Sequence, residues 1–170
     1  SSNLKKQEGS YFTSTFGYTF DLDKRNQRFQ TTDGFRSKFT QVIPIVSESN
    51  TLLNGYQVDS FHSLEDITAS LGLYLRAVTG LSDDVRISER LNLPRKRLRG
   101  FESGKIGPKD GTQYIGGNYA SSLNLSSTFP NVIFEKENID LNFFIDMANV
   151  WEVDYNSSLD SSKIRSSTGI

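Results

Sequence analysis

IDLNFFIDMANVW, Ile139 to Trp151, decides how the chain folds. Ile139, Leu141, Phe143, Ile145 and Met147 fall on one side of an extended backbone, and Asp140, Asn142, Phe144, Asp146 and Ala148 fall on the other. Period two marks a β-strand with two unlike faces. The stretch exceeds the roughly five or six residues of an ordinary soluble strand and approaches the length that crosses a bilayer at a tilt. Asp146 lies mid-strand, opposite the apolar side, so in a closed barrel it would point inward. A buried carboxylate without a partner is costly, and Asp146 therefore calls for a cation.

The same period recurs along the chain, while helical periodicity is almost absent. In SYFTSTFGYTFDLD, Phe12, Phe16, Tyr18, Phe20 and Leu22 share a face. In GFRSKFTQVIPI, Phe35, Phe39, Ile43 and Ile45 oppose Arg36, Lys38 and Thr40. TASLGLYLRAV sets Leu71, Leu73 and Leu75 against Ser70, Gly72, Tyr74 and Arg76. NYASSLNLSSTF sets Tyr119, Leu123, Leu125 and Phe129 against Ala120, Ser122, Asn124, Ser126 and Thr128. A weaker strand is expected near Tyr56 to Phe61, and IRSSTGI opens another. Aromatics near the strand ends (Tyr11, Phe12, Phe35, Tyr119, Phe129, Trp151) suit the two interfacial girdles of a membrane barrel.

The expected fold is therefore all-β: an antiparallel transmembrane β-barrel, present as an incomplete fragment of about seven strands. A soluble β-sandwich would also alternate. Against it, the polar faces hold small Ser, Thr, Gly and Asn more than Lys and Glu, and the apolar faces are rich in Phe and Leu. The 170 residues carry 19 basic and 20 acidic side chains, a net charge of −1 that calls for no nucleic acid. Cysteine is absent, which excludes disulfides and thiolate metal sites. A mean hydropathy of −0.46 suggests solubility for a helical protein, but a barrel's water-facing residues and loops escape that test. The single methionine is Met147, so the chain is expected to be a piece of something longer.

RLRGFESGKIGPKDGTQYIGGN, Arg97 to Asn118, holds six of the thirteen glycines and no apolar repeat. It belongs to a connection from about residue 80 to 117, and connections beyond about 12–15 residues are usually functional or disordered. SGKIG lacks the spacing of a phosphate-binding loop, and no helix follows it. His62, the only histidine, has no catalytic or metal-ligand set around it. Carboxylate pairs such as Asp83 and Asp84 with Glu89, or Asp140 with Asp146, have no catalytic partner beside them. RKRLR, Arg95 to Arg99, has only Phe101 near it for stacking, too little for a nucleic-acid surface. A solvated charge run leaves the glycines unexplained. An arginine on a loop folded back into a polar lumen accounts for both features, and it would need a carboxylate such as Asp146.

LRGF (Leu98 to Phe101), IGP (Ile106 to Pro108), GGN (Gly116 to Asn118) and FFIDMANVW (Phe143 to Trp151) occur in an order that resembles the BamA family. That family comprises the outer-membrane protein assembly factors of the bacterial surface antigen superfamily. TDGF (Thr32 to Phe35) and IRSSTGI (Ile164 to Ile170) resemble further family segments. The resemblance spans almost the whole chain. It implies an outer-membrane barrel that inserts and folds other β-barrel proteins, with no catalytic residue, cofactor or metal. Implied partners are unfolded outer-membrane proteins, accessory assembly lipoproteins and outer-membrane lipids, and the implied site is the cell outer membrane of a Gram-negative bacterium.

The resemblance also implies a long extracellular loop docked in the lumen by Arg99, Gly100 and Phe101, with Asp146 as the arginine's partner. Ile106, Gly107, Pro108, Gly116, Gly117 and Asn118 would shape that loop. Where the family often has glutamate on the preceding strand, this chain has Asn124, which can accept a hydrogen bond from a guanidinium but brings no charge. Arg99 is therefore expected to depend mainly on Asp146. Periplasmic repeat domains and the last barrel strands are expected to lie outside these residues. Within the superfamily, a TamA-like or two-partner secretion transporter remains an alternative. Outside it, a porin-like channel remains one, supported by Arg36, Lys38 and Arg76 on inward faces.

Overall fold

The computed structural model describes residues 12–47, 50–130, 139–160 and 163–170. Seven strands form one antiparallel sheet: β1 Thr13–Asp23, β2 Gly34–Ser47, β3 Thr51–Leu64, β4 Ile67–Gly80, β7 Tyr119–Phe129, β8 Leu141–Trp151 and β9 Arg165–Gly169. Their spatial order follows the chain, each strand pairing with the next, and β1 and β9 do not pair. The sheet is an unclosed up-and-down arc. Two short strands, β5 Lys109–Asp110 and β6 Gln113–Tyr114, make a separate hairpin inside the long connection. Among the described residues no helix is long and apolar enough to cross a membrane, which says nothing of strands.

The pleat separates the two faces as the alternation requires. Phe16, Phe20, Leu71, Leu75, Leu123, Leu125, Phe143, Ile145 and Met147 are all exposed on one face. The other face carries Tyr74, Ala120, Ser122, Asp146, Ala148 and Val150, all buried, so something other than the sheet itself must cover them. At the end of the sheet that carries the long connection, Tyr119 stacks on Trp151 with centroids 5.6 Å apart. Phe129 meets Phe143 edge-on at 5.6 Å toward the opposite end. Tyr11 lies outside the described residues, as does residue 131–138 of the β7–β8 connection.

β3 differs most from expectation. It runs 14 residues from Thr51 to Leu64, as long as β2 and β4, where the sequence pattern indicates only a weak strand at Tyr56–Phe61. Asn54, Ser60 and His62 dilute its apolar side. Pairing with β2 on one edge and β4 on the other defines the strand where hydrophobicity does not.

Candidate functional site: the loop-covered concave face

The connection between β4 and β7 folds back over the inner face of β4, β7 and β8. Leu93, Leu98 and Ile106 from the connection form one buried cluster with Tyr74 of β4, Ala120 of β7, and Ala148 and Val150 of β8; Leu91 and Phe101 pack against it. Two of the four wall residues at the contact are alanine, and that leaves room for the loop's aliphatic side chains. Burial of Leu98, at 1% exposed, is worth on the order of 2 kcal/mol.

Two glycines are dictated by close approach. Gly107 has φ +101°, and a Cβ there would lie 2.9 Å from Val150 Cβ. Only glycine adopts that backbone without strain and leaves the space. A Cβ on Gly117 would overlap the Trp151 carbonyl oxygen. Gly117 also exchanges two backbone hydrogen bonds with Leu91, at 2.8 and 3.0 Å, which ties the end of the loop back to an earlier part of it. Gly116 and Pro108 are buried beside them. Gly100, exposed at φ +81°, turns the chain away after the arginine.

Asp146 is fully buried and has four hydrogen-bond donors around it. Arg99 Nε and Nη2 form a fork on its two carboxylate oxygens at 2.8 and 2.7 Å, and the Arg99 backbone N–H donates to Oδ2 at 3.0 Å. The fourth is Asn124 Nδ2, at 2.8 Å from Oδ1. The Arg99 guanidinium also lies 3.6 Å above the Phe144 ring. A bidentate, planar pair with a cation–π contact suits arginine and not lysine. The Arg99 side chain is 37% exposed while Asp146 is not exposed at all, so the carboxylate bears the greater cost of losing its partner.

Asn124 does accept from a guanidinium, but from that of Arg97, at 3.3 Å, and not from Arg99. It sits directly opposite Asp146 in the β7–β8 register, so the carboxylate draws its amide hydrogens, and its oxygen turns toward Arg97. Ile106 lies in the buried cluster and Phe101 at its margin. Asn118 closes the loop: its N–H donates to the Glu152 carbonyl at 3.0 Å, its carbonyl accepts from Val78 N–H at 2.8 Å, and its side-chain amide donates to Asp154.

Several residues of the site escape sequence reasoning. Arg97 is buried at 5% exposure and pairs with Asp59 at 3.1 Å. Asp154, just beyond β8, also accepts from the Val85 N–H at 2.7 Å. Arg90, likewise buried, stacks over the Tyr155 ring at 4.9 Å, and burial raises the Tyr155 phenol above its ordinary value. Nothing set Arg97 apart from the other basic residues of RKRLR, because Arg95–Arg97 forms a 3-10 turn whose direction the sequence does not reveal. Nor did anything mark Arg90. Among the described residues no group of three or more His, Cys, Asp or Glu could hold a metal ion.

A family model described as the Omp85 superfamily domain matches residues 1–170, and the chain belongs to that superfamily. Among solved structures, it is similar to the crystal structure of BamA from Haemophilus ducreyi lacking POTRA domains 1-3, with a TM-score of 0.81 and 19% identity. That likeness covers 91% of this chain and 35% of the other, so the chain spans about a third of that protein's length and shares its barrel fold. No curated protein sequence matches.

Proposed function

We propose that this Omp85 superfamily chain is part of the barrel of an outer-membrane assembly factor, which inserts and folds other β-barrel proteins into the bacterial outer membrane. Its action is non-hydrolytic and needs no cofactor. The barrel opens or thins locally, and incoming strands of unfolded outer-membrane proteins pair with its own. In this reading the segment between β4 and β7 is the extracellular loop docked in the lumen, and residues 1–170 are part of the C-terminal barrel. Periplasmic repeats lie elsewhere in the parent, and accessory lipoproteins and outer-membrane lipids are its other partners.

The observation that carries the reading is the Arg99 fork on a fully buried Asp146 beneath an apolar loop–wall contact. A diffusion channel needs a water-filled constriction with opposed charges. Here Leu98, Ile106 and Val150 pack together, so the inner face under the loop holds an apolar contact and not an open row of charges. The test uses the full-length parent in lipid vesicles, with an unfolded barrel protein as substrate and folded, heat-resistant product as the readout. Asp146→Asn should lower the insertion rate by about tenfold or more, because it removes the charge from a buried pair. Wild-type insertion by Asp146→Asn would defeat the role given to the docked loop. Passage of a secreted polypeptide across the vesicle wall, without barrel insertion, would assign the parent to the translocating branch of the superfamily.

A further inference from the structure

Asp59, Gly72, Asn124 and Asp146 are successive cross-strand partners, so they form one row across the inner face of β3, β4, β7 and β8. Three of the four carry polar side chains of similar reach, and the second has none. The gap is filled from the loop. A Cβ built on Gly72 would lie 3.0 Å from Asp59 Oδ1, 3.1 Å from Arg97 Nη1 and 3.4 Å from Asn124 Cβ. The guanidinium of Arg97 thus occupies the space that a side chain at position 72 would take.

We propose that Gly72 is a socket and Arg97 its plug, making Arg97–Asp59 a second latch that fixes the loop to β3, in addition to the Arg99–Asp146 latch on β8 and joined to it through Asn124. The socket is built from several sides. Arg97 Nη1 donates to Asp59 Oδ1 at 3.1 Å and to Asn124 Oδ1 at 3.3 Å. Gln57 Nε2 donates to the other Asp59 oxygen at 2.6 Å and holds the carboxylate in place. The guanidinium lies 5.3 Å from the Tyr74 ring centroid, and Asn124 Nδ2 donates to the Arg97 carbonyl at 2.9 Å. The Arg97 side chain is 6% exposed, and its Nε is buried without a hydrogen-bond partner. A desolvated cation needs its counter-charge, and Asp59 provides one.

The two latches have different reaches. Arg99 ties the loop to β8 alone, whereas Arg97 carries the tie across β7 and β4 to β3. Together they fasten one loop at both ends of a four-strand row. Without Arg97 the loop would keep its apolar packing on β4, β7 and β8 and the Thr51–Glu89 hydrogen bond at the start of β3, but the middle of β3 would be free to shift beneath it. Arg97 is a positioning residue: it acts through the placement of the loop and of Arg99, two residues on.

The experiment is a double-mutant cycle in the full-length parent in membranes, read by hydrogen exchange of loop segment 93–101, which includes the Arg99 N–H. Arg97→Gln and Asp59→Asn should each speed exchange there by about tenfold, while heat resistance of the barrel is kept. The double variant should be no worse than either single, since removing both charges leaves no stranded ion. Gly72→Ala should speed exchange with both charges intact, because its methyl intrudes on the ion pair, and it decides the matter should a charge variant not assemble. Additive single effects, or wild-type exchange in Gly72→Ala, would overturn the second latch. The proposal concerns loop position and rests on the functional reading only for its consequence. A loosened loop with unaltered barrel insertion would leave the latch standing and count against that reading.

Discussion

The inner face of the sheet is built in two ways. Under the loop, β4, β7 and β8 present Gly72, Ala120, Ser122 and Ala148, with one buried carboxylate at Asp146. Beyond the loop's reach, β1 and β2 present Asp21, Asp23, Arg36 and Lys38, charged and solvent-facing. Both halves come from strands with the same alternation and the same antiparallel pairing. The difference lies in what faces them. A wall that receives a loop must be low and sparingly polar, with each buried charge paired, while a wall that faces water can carry long charged side chains at little cost. The outer face makes no such distinction, since Phe16, Leu71, Leu125 and Ile145 are exposed along its whole width.

Perturbations of the covered half should therefore cost far more than those of the open half. Asp146→Ala gives the largest effect: it strands the Arg99 backbone N–H and guanidinium and should weaken loop docking by about 3 kcal/mol, seen as faster hydrogen exchange across 93–101. Ala148→Leu forces a larger side chain under Leu98 and Ile106, and a loss of about 2 kcal/mol is expected by the same readout, with the outer face unaffected. Gly107→Ala combines a φ of +101° with a methyl pressed onto Val150, for about 1–3 kcal/mol confined to the loop. Arg36→Gln on the open half breaks an ion pair with Asp21 whose side chains are 39% and 33% exposed. It should cost less than about 1 kcal/mol and fade with added salt; Arg36 lies across from Asp59, so exchange in the loop should change, but far less than in Asp59→Asn. A large loop effect from Arg36→Gln would erase the distinction between the halves.

Much of this was legible in the sequence, for physical reasons that differ by element. β8 was plain because Phe143, Ile145 and Met147 alternate without interruption, and the same pleat turned Asp146 inward. β3 was not, because its polar residues hide a strand held by two neighbours. The wall's tolerance for a loop could be suspected from Ala120, Ser122 and Ala148. The Gly72 socket could not, since the row joining Asp59 to Asp146 depends on pairing register across three strand interfaces. Sequence fixes which face a residue takes far more tightly than which residue lies beside it on the next strand. Arg97 was visible as a charge and Asp59 as another, 38 residues apart, and only the fold sets them 3.1 Å from each other.

The docking of the loop on the inner wall of the barrel can be tested directly. Ile106→Cys and Val150→Cys, two members of the buried loop–wall cluster in an otherwise thiol-free stretch, test it while leaving both arginine latches and Gly107 intact. In intact outer membranes holding the full-length parent, a short thiol-specific cross-linker should join them efficiently within one chain, and adding Asp146→Asn should slow that reaction severalfold. Two freely labelled thiols with no cross-link would place the loop away from the wall and contradict the account.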